Sequence, residues 1–325
     1  MSESTRPTDT YGTPVPAPTS APVFSVAPVV LPAPDRAVDL EVRVTAPVTG
    51  SDLPVILLSH GQGHSNHLSS LNGYAPLVNY WAAHGFAVIQ PTHLSSSTLT
   101  LDPGDPEAPL YWRSRAEDMK RVLDQLDAIG AAVPQLLGRL DPSRVAVAGH
   151  SMGGHTAGLL LGARTTDPHD GAEVDLAEPR IKAGVLLAAP GRGGDALSEF
   201  TARNYPIFLT NDFSGMTTPT LVVAGDKDLS AHLTVAGADW HADPYFLSPG
   251  PKALLTLFDA EHGLGGISGY DVAETTDESP ERVSAVQRLT WAYLRSELYP
   301  GDTSWRTARE ALAAGPAPLG RVDSK

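Results

Sequence analysis

The chain has 325 residues, 42% of them hydrophobic and 18% charged, enough apolar surface for a large core and too much for a disordered chain. Lys and Arg total 23 against 37 Asp and Glu, a net charge of −14 that repels polyanions and excludes nucleic acid or an anionic membrane as a partner. Cys is absent, which removes disulfides, thiolate metal sites and thiol nucleophiles together, and no apolar run approaches the roughly 18 residues of a membrane span.

The N-terminus, MSESTRPTDT, has no basic segment followed by an apolar one, so no secretory signal is read and cytoplasmic location is the default expectation. Residues 1–34 carry eight prolines and read as an extended, weakly structured lead-in. The folded domain is expected over 35–325. Residues 38–45 alternate apolar and polar, the pattern of a half-exposed antiparallel edge strand. Short runs that are apolar on both faces follow at 55–59, 86–90, 144–149, 183–189, 220–225 and 253–259, as in parallel strands covered by helices. Between them, apolar residues at three-to-four spacing predict a helix over 112–129. Ser279-Pro280-Glu281 opens another over 280–297, and a short one covers 303–313. The alternation predicts one α/β domain: a mostly parallel central sheet with helices on both faces. Residues 191–216 are too few for a large cap domain, so an open, shallow site is expected.

Gly149-His150-Ser151-Met152-Gly153 matches G-x-S-x-G, directly after a β-branched run and directly before a helix-like stretch rich in small residues. The chemistry needs that order. A serine on a tight strand-to-helix turn is exposed, and the helix N-terminus beside it offers N–H groups to a developing oxyanion. Ser59-His60-Gly61-Gln62-Gly63 follows an earlier strand, and its glycines let the backbone approach a carbonyl. The backbone N–H groups of Gln62 and Met152 are the expected oxyanion donors, with Gly61 an alternative to Gln62.

With His84-Gly85-Phe86-Ala87-Val88, these two motifs resemble the α/β-hydrolase superfamily over nearly the whole chain from residue 38. They look like its branch of chlorophyllases and platelet-activating-factor acetylhydrolases, and the elbow is similar to that of cutinase-like bacterial hydrolases. The resemblance implies hydrolysis of carboxylic esters through an acyl-enzyme, with no cofactor and no metal. It also implies a chain order of serine, acid, histidine. His262 is the histidine on a loop just after a late apolar strand, and is the expected base. The acid is expected just after Thr220–Gly225: Asp228, three residues past the strand-ending glycine, with Asp226 the alternative.

His60, His64, His67 and His93 could suggest a metal site, but no carboxylate shares the first loop. Asp239, His241 and Asp243 read as a solvated polar loop, and Arg113, Arg115, Glu117 and Asp118 as helix capping and surface pairs. His60, Gly61 and His150 beside the motifs are candidates to line a substrate pocket. So are Trp240, Tyr245 and Phe246, in an insertion between acid and base, although a core role is open to each. The reading is a serine carboxylesterase acting on a small or medium hydrophobic ester. The alternatives are an acyltransferase or lactone/thioester hydrolase with the same acyl-enzyme, and a non-catalytic binding scaffold, which would carry a broken triad.

Overall fold

Side chains that alternate along each strand divide the molecule into two cores. In the run Val55-Ile56-Leu57-Leu58, Val55 and Leu57 enter one buried cluster, Ile56 and Leu58 another. A computed structural model describes residues 20–102, 104–269, 271–315 and 317–325. The elements are β1 (Val23–Leu31), β2 (Leu40–Pro47), β3 (Leu53–Ser59), α1 (Ala75–Ala83), β4 (Ala87–Pro91), α2 (Trp112–Asp124), α3 (Leu126–Ala132) and β5 (Leu140–His150). There follow α4 (Met152–Leu160), the short hairpin β6 (Arg164–Thr166) and β7 (Glu173–Asp175), β8 (Ile181–Leu187), α5 (Glu199–Asn204) and β9 (Thr220–Gly225). The chain ends with α6 (Asp243–Leu247), β10 (Lys252–Leu257), α7 (Pro280–Leu298), α8 (Ser304–Ala314) and β11 (Gly320–Ser324).

The main sheet has nine strands in the order β1-β2-β4-β3-β5-β8-β9-β10-β11. From β4 to β10 in that order the strands run parallel, and β1, β2 and β11 are antiparallel to their neighbours. One face packs Ala116, Met119 and Val122 of α2, Ile129 of α3 and Ala157 of α4. The other packs Leu77 and Trp81 of α1 and Val286, Leu289 and Leu294 of α7. The fold is a single α/β-hydrolase domain. Residues 191–216 hold only α5 and two 3₁₀ turns, so no large cap lies between β8 and β9. No helix among the described residues is long and apolar enough to cross a membrane.

Topology sets where chemistry is possible. After β3 the chain pairs to one side as β4 and returns on the other as β5, leaving a crevice at the carboxyl ends between them. Ser59 sits opposite Gly149, so the loops after β3 and β5 leave the sheet side by side. Gly225 sits opposite Leu257, so those after β9 and β10 do the same.

The structure departs from the expectations at the edges. Residues 23–31, placed in a weakly structured lead-in, form β1 despite Pro28, with a register shift between Val26 and Val29. An outermost strand tolerates a residue without an N–H. Residues 1–19 lie outside the described residues. Strand β2 is therefore interior, and Val42, Val44 and Ala46 are buried. The 112–129 helix breaks at Gln125 into α2 and α3.

Leu57→Ala should lower unfolding free energy by about 2–5 kcal/mol, the usual loss for a buried leucine. Leu137→Ala, at a side chain 69% exposed, should cost under about 0.5 kcal/mol. Urea titration of both variants checks this, and equal losses would contradict the assigned core.

Candidate active site

Strand β5 delivers Ser151 into a turn with φ 54° and ψ −121°, a region costly for any residue with a side chain. The Ser151 N–H is spent on the Leu187 carbonyl (2.9 Å), and its own carbonyl accepts from His155 (3.1 Å), which starts α4. Met152, at the first turn of α4, keeps its N–H directed out of the helix, as helix starts must.

His262 follows β10. Its Nε2 lies 2.8 Å from Ser151 Oγ and its Nδ1 2.7 Å from Asp228 Oδ2. The three residues named from their order in the chain thus touch, and the broken triad of a non-catalytic scaffold is not what the structure contains. Asp228 is buried, whereas the His262 side chain is 33% exposed, so the imidazole meets solvent and the carboxylate does not. Asp226, the alternative acid, is exposed and accepts from the Asp259 N–H (2.7 Å), capping a turn. Burial would raise the Asp228 carboxyl, but the adjacent His262 and His241 imidazoles hold it far below the usual carboxylate range. Ser230 Oγ donates to its other oxygen (2.6 Å).

The Gly61 N–H donates to the Tyr74 hydroxyl (2.9 Å), and Tyr74 Oη lies 3.0 Å from His150 Nδ1. His150 Nε2 lies 2.8 Å from the His262 carbonyl oxygen, which can only accept. The proton therefore sits on Nε2, Nδ1 accepts from Tyr74, and the hydroxyl in turn accepts from Gly61. Gly61 is thereby committed. Among the described residues the Gln62 N–H donates to no protein group, so Gln62 and Met152 stay the candidate oxyanion donors and Gly61 does not. Burial pushes His150 down to about 3, followed by the charge of His262, so the ring stays neutral.

Several pocket candidates prove to be supports. His60 is buried; its Nε2 accepts from the His93 N–H (3.1 Å), so Nδ1 donates to the Gly61 carbonyl (2.7 Å). Trp240 is buried and donates its indole N–H to the Arg192 carbonyl (2.8 Å), in an apolar cluster with Met152 and Trp112. Tyr245 and Phe246 are not brought to the triad. The ring of Tyr245 stacks under Lys325, whose backbone pairs with Lys252 at the start of β10, the end of the strand away from His262. By that point the insertion has already turned into α6 and descended along the sheet.

Two clusters read as surface are only partly so: Arg115, Asp118, His241 and Asp243 are buried, whereas Glu117 and Asp239 are exposed and Arg113 makes a half-exposed pair with Asp167. Arg115 donates to the His60 carbonyl, Ser95 Oγ and Thr156 Oγ1, tying the loop after β3 to α4. Asp118 meets Arg36 Nε (3.0 Å) and His93 Nδ1 (2.9 Å), and His93 Nε2 meets Ser59 Oγ (2.9 Å). This second serine–imidazole–carboxylate chain has no route to solvent. The three-residue spacing of 115 and 118 beside Ala116 and Met119 places them on the inward face of α2. His241, taken for a solvated residue, is completely buried with Nε2 3.1 Å from Asp228 Oδ2. Its neighbour Asp243 pairs with Arg192 (3.0 Å). Asp228, His241 and His262 also meet the spacing of a metal site, but a cation there would displace the hydrogen bond between acid and base.

Sequence reading missed two loop clamps. Asp277 Oδ2 accepts from the N–H groups of Glu261 and Gly265 (2.9 Å each), holding His262 from both sides. Glu274 Oε1 accepts from His64 (2.6 Å) and Ser65 (2.8 Å), joining this loop to the one after β3.

No family model matches the chain. It is similar to cutinases. Cutinase 1 of Thermobifida cellulosilytica is 31% identical over 184 residues, 56% of this chain and 51% of the relative. A cutinase of Thermobifida fusca strain YX is 31% identical over 184 residues, 44% of its length, and cutinase est2 of Thermobifida alba 29% over 194 residues, 48% of its length. The chain spans about half the length of the curated relatives it matches. These matches support the resemblance to α/β-hydrolase serine esterases and give none to the chlorophyllase branch.

The buried imidazoles make stability acid-sensitive. Burial holds His60 and His93 well below the ordinary histidine value, His155 at about 4 and His150 at about 3. In the unfolded chain each takes a proton near pH 6.5, so between that pH and about 3–4 the unfolded state binds more protons and stability is lost as pH falls. Asp118, raised to about 7 by burial, opposes them, as do Glu107, Glu117, Asp243 and Glu297, which burial also raises. The melting temperature should therefore fall steadily from pH 6.5 to pH 4; a flat or rising trend in scanning calorimetry would contradict the assigned protonation.

Proposed function

We propose that the chain is a carboxylic-ester hydrolase working through an acyl-enzyme on Ser151. The observation that carries the reading is the unbroken line from Ser151 Oγ through His262 to Asp228, at 2.8 and 2.7 Å. Similarity to proteins named cutinases supports the ester class.

Ser151 Oγ attacks the ester carbonyl carbon as His262 Nε2 takes the hydroxyl proton. The carbonyl π electrons move onto oxygen, and the N–H groups of Gln62 and Met152 donate hydrogen bonds to the resulting oxyanion. One such donor is worth about 3 kcal/mol of barrier. The intermediate collapses, the bond to the alcohol oxygen breaks, and His262 returns the proton to the departing alkoxide. Water then attacks the acyl-enzyme with His262 again as base, releasing the acid and restoring Ser151. Asp228 holds the imidazole with Nδ1 as donor and stabilises the imidazolium that forms in each half.

The substrate is a small or medium hydrophobic ester. The absence of a large cap and the exposure of Leu229, next to the acid in the chain, suit an apolar group reached from the open side.

Mixing the protein with short p-nitrophenyl esters should release a burst of nitrophenol stoichiometric with protein, followed by steady turnover. Ser151→Ala should abolish the burst and reduce turnover at least about a thousandfold. A Ser151→Ala protein with wild-type turnover would overturn the reading, and an acyl chain-length series would define the substrate.

A further inference from the structure

Asp228 carries two imidazoles, and the reaction above uses only one. His241 lies in a 3₁₀ turn, Ala238–Ala242, and its ring is completely buried. Its Nδ1 is 2.9 Å from the Ala189 carbonyl oxygen at the end of β8, and its Nε2 is 3.1 Å from Asp228 Oδ2. Both neighbours are acceptors. A neutral imidazole has one N–H and one lone pair, so it would aim that lone pair at a carbonyl or at a carboxylate. The doubly protonated ring aims a donor at each. The approach to Asp228 is close but out of line for a good hydrogen bond, so charge carries the interaction more than the bond does.

We propose that His241 is a positioning residue that sits as an imidazolium against Asp228 and thereby sets the pH range in which His262 serves as base. The proposal rests on the esterase reading. When His262 takes the proton of Ser151, its new charge is stabilised by Asp228. A second cation on the same carboxylate, with ring centroids 5.4 Å apart, offsets part of that stabilisation. His262 then gives its proton up more readily to the leaving alkoxide and remains neutral to lower pH.

The surroundings leave His241 as the nearest second charge on the acid. Around it stand Asp228 and His262, His150 on the elbow, His232 in the acid loop, and Asp243, which is already paired with Arg192. The contact to Ala189 fixes the ring from the opposite side, so it cannot swing away from the carboxylate without losing a buried hydrogen bond.

The test compares kcat/KM from pH 5 to 9 for wild type and His241→Gln, whose amide keeps a donor but carries no charge. The acid limb, which reports the coupled carboxylate–imidazole group, should move up by roughly one pH unit in the variant. KM at the plateau should change little. An acid limb that coincides with wild type while the plateau falls would reduce His241 to a structural prop and overturn the proposal. Nitrogen-15 spectra of the wild-type histidines decide the matter independently of the variant's folding. Protons on both His241 nitrogens at pH 8 support it, and a single-proton tautomer sinks it. A wild-type protein without ester hydrolysis would defeat the esterase reading, and the spectra would still decide the state of His241.

Discussion

The backbone at Ser151 is the constraint on which the rest depends. A serine at φ 54° is strained by about 1–3 kcal/mol, and it stays there because neighbouring side chains are missing. A Cβ on Gly149 would overlap the Gly153 carbonyl, one on Gly153 would overlap the carbonyls of Ser59 and His60, and one on Gly154 would crowd Ala189. The three glycines let α4 sit close against the ends of β3, β5 and β8. That closeness puts the Met152 N–H beside the loop carrying Gln62 and raises the serine hydroxyl above the sheet.

Polar groups hold the loops around this point. Gln62, Asp228 and His262 lie 89, 77 and 111 residues from Ser151 in the chain, so no local preference aligns them. The Gly61–Tyr74–His150–His262 series joins the loops after β3, β5 and β10 by hydrogen bonds that each have one permitted direction. Arg115 joins the loop after β3 to α4, and Glu274 joins it to the loop after β10. Buried polar groups of this kind are costly unless satisfied. The seryl–imidazole–carboxylate chain of Ser59, His93 and Asp118 belongs to this framework: the same three residue types, closed to solvent, brace the end of β3.

Much of this was legible in the sequence where local pattern and final environment agree. The apolar runs became the parallel strands because both faces are buried, and Ser279 caps α7 through the Arg282 N–H (3.2 Å) as its position announces. Ser151, Asp228 and His262 were recoverable because each follows a strand. Legibility ended where a residue's role is set by distant partners. Arg115, Asp118 and His241 are polar types in polar stretches, and only the tertiary fold shows that they are buried against complementary groups. A spacing argument reaches Arg115 and Asp118 through the inward face of α2; nothing in the 238–243 stretch points His241 at a carboxylate contributed by the previous loop. Strand β1 was hidden by Pro28 and the proline-rich stretch around it, and β11 by its five-residue length.

The two serine–histidine–aspartate arrays make a direct measurement possible within one molecule. Treatment of the native protein with a fluorophosphonate, followed by peptide mapping, should find one adduct per chain on Ser151 and none on buried Ser59, and protein unfolded before treatment should take up none. An unmodified Ser151 in the folded protein, or labelling of protein unfolded beforehand, would contradict the claim that the fold makes this one hydroxyl reactive.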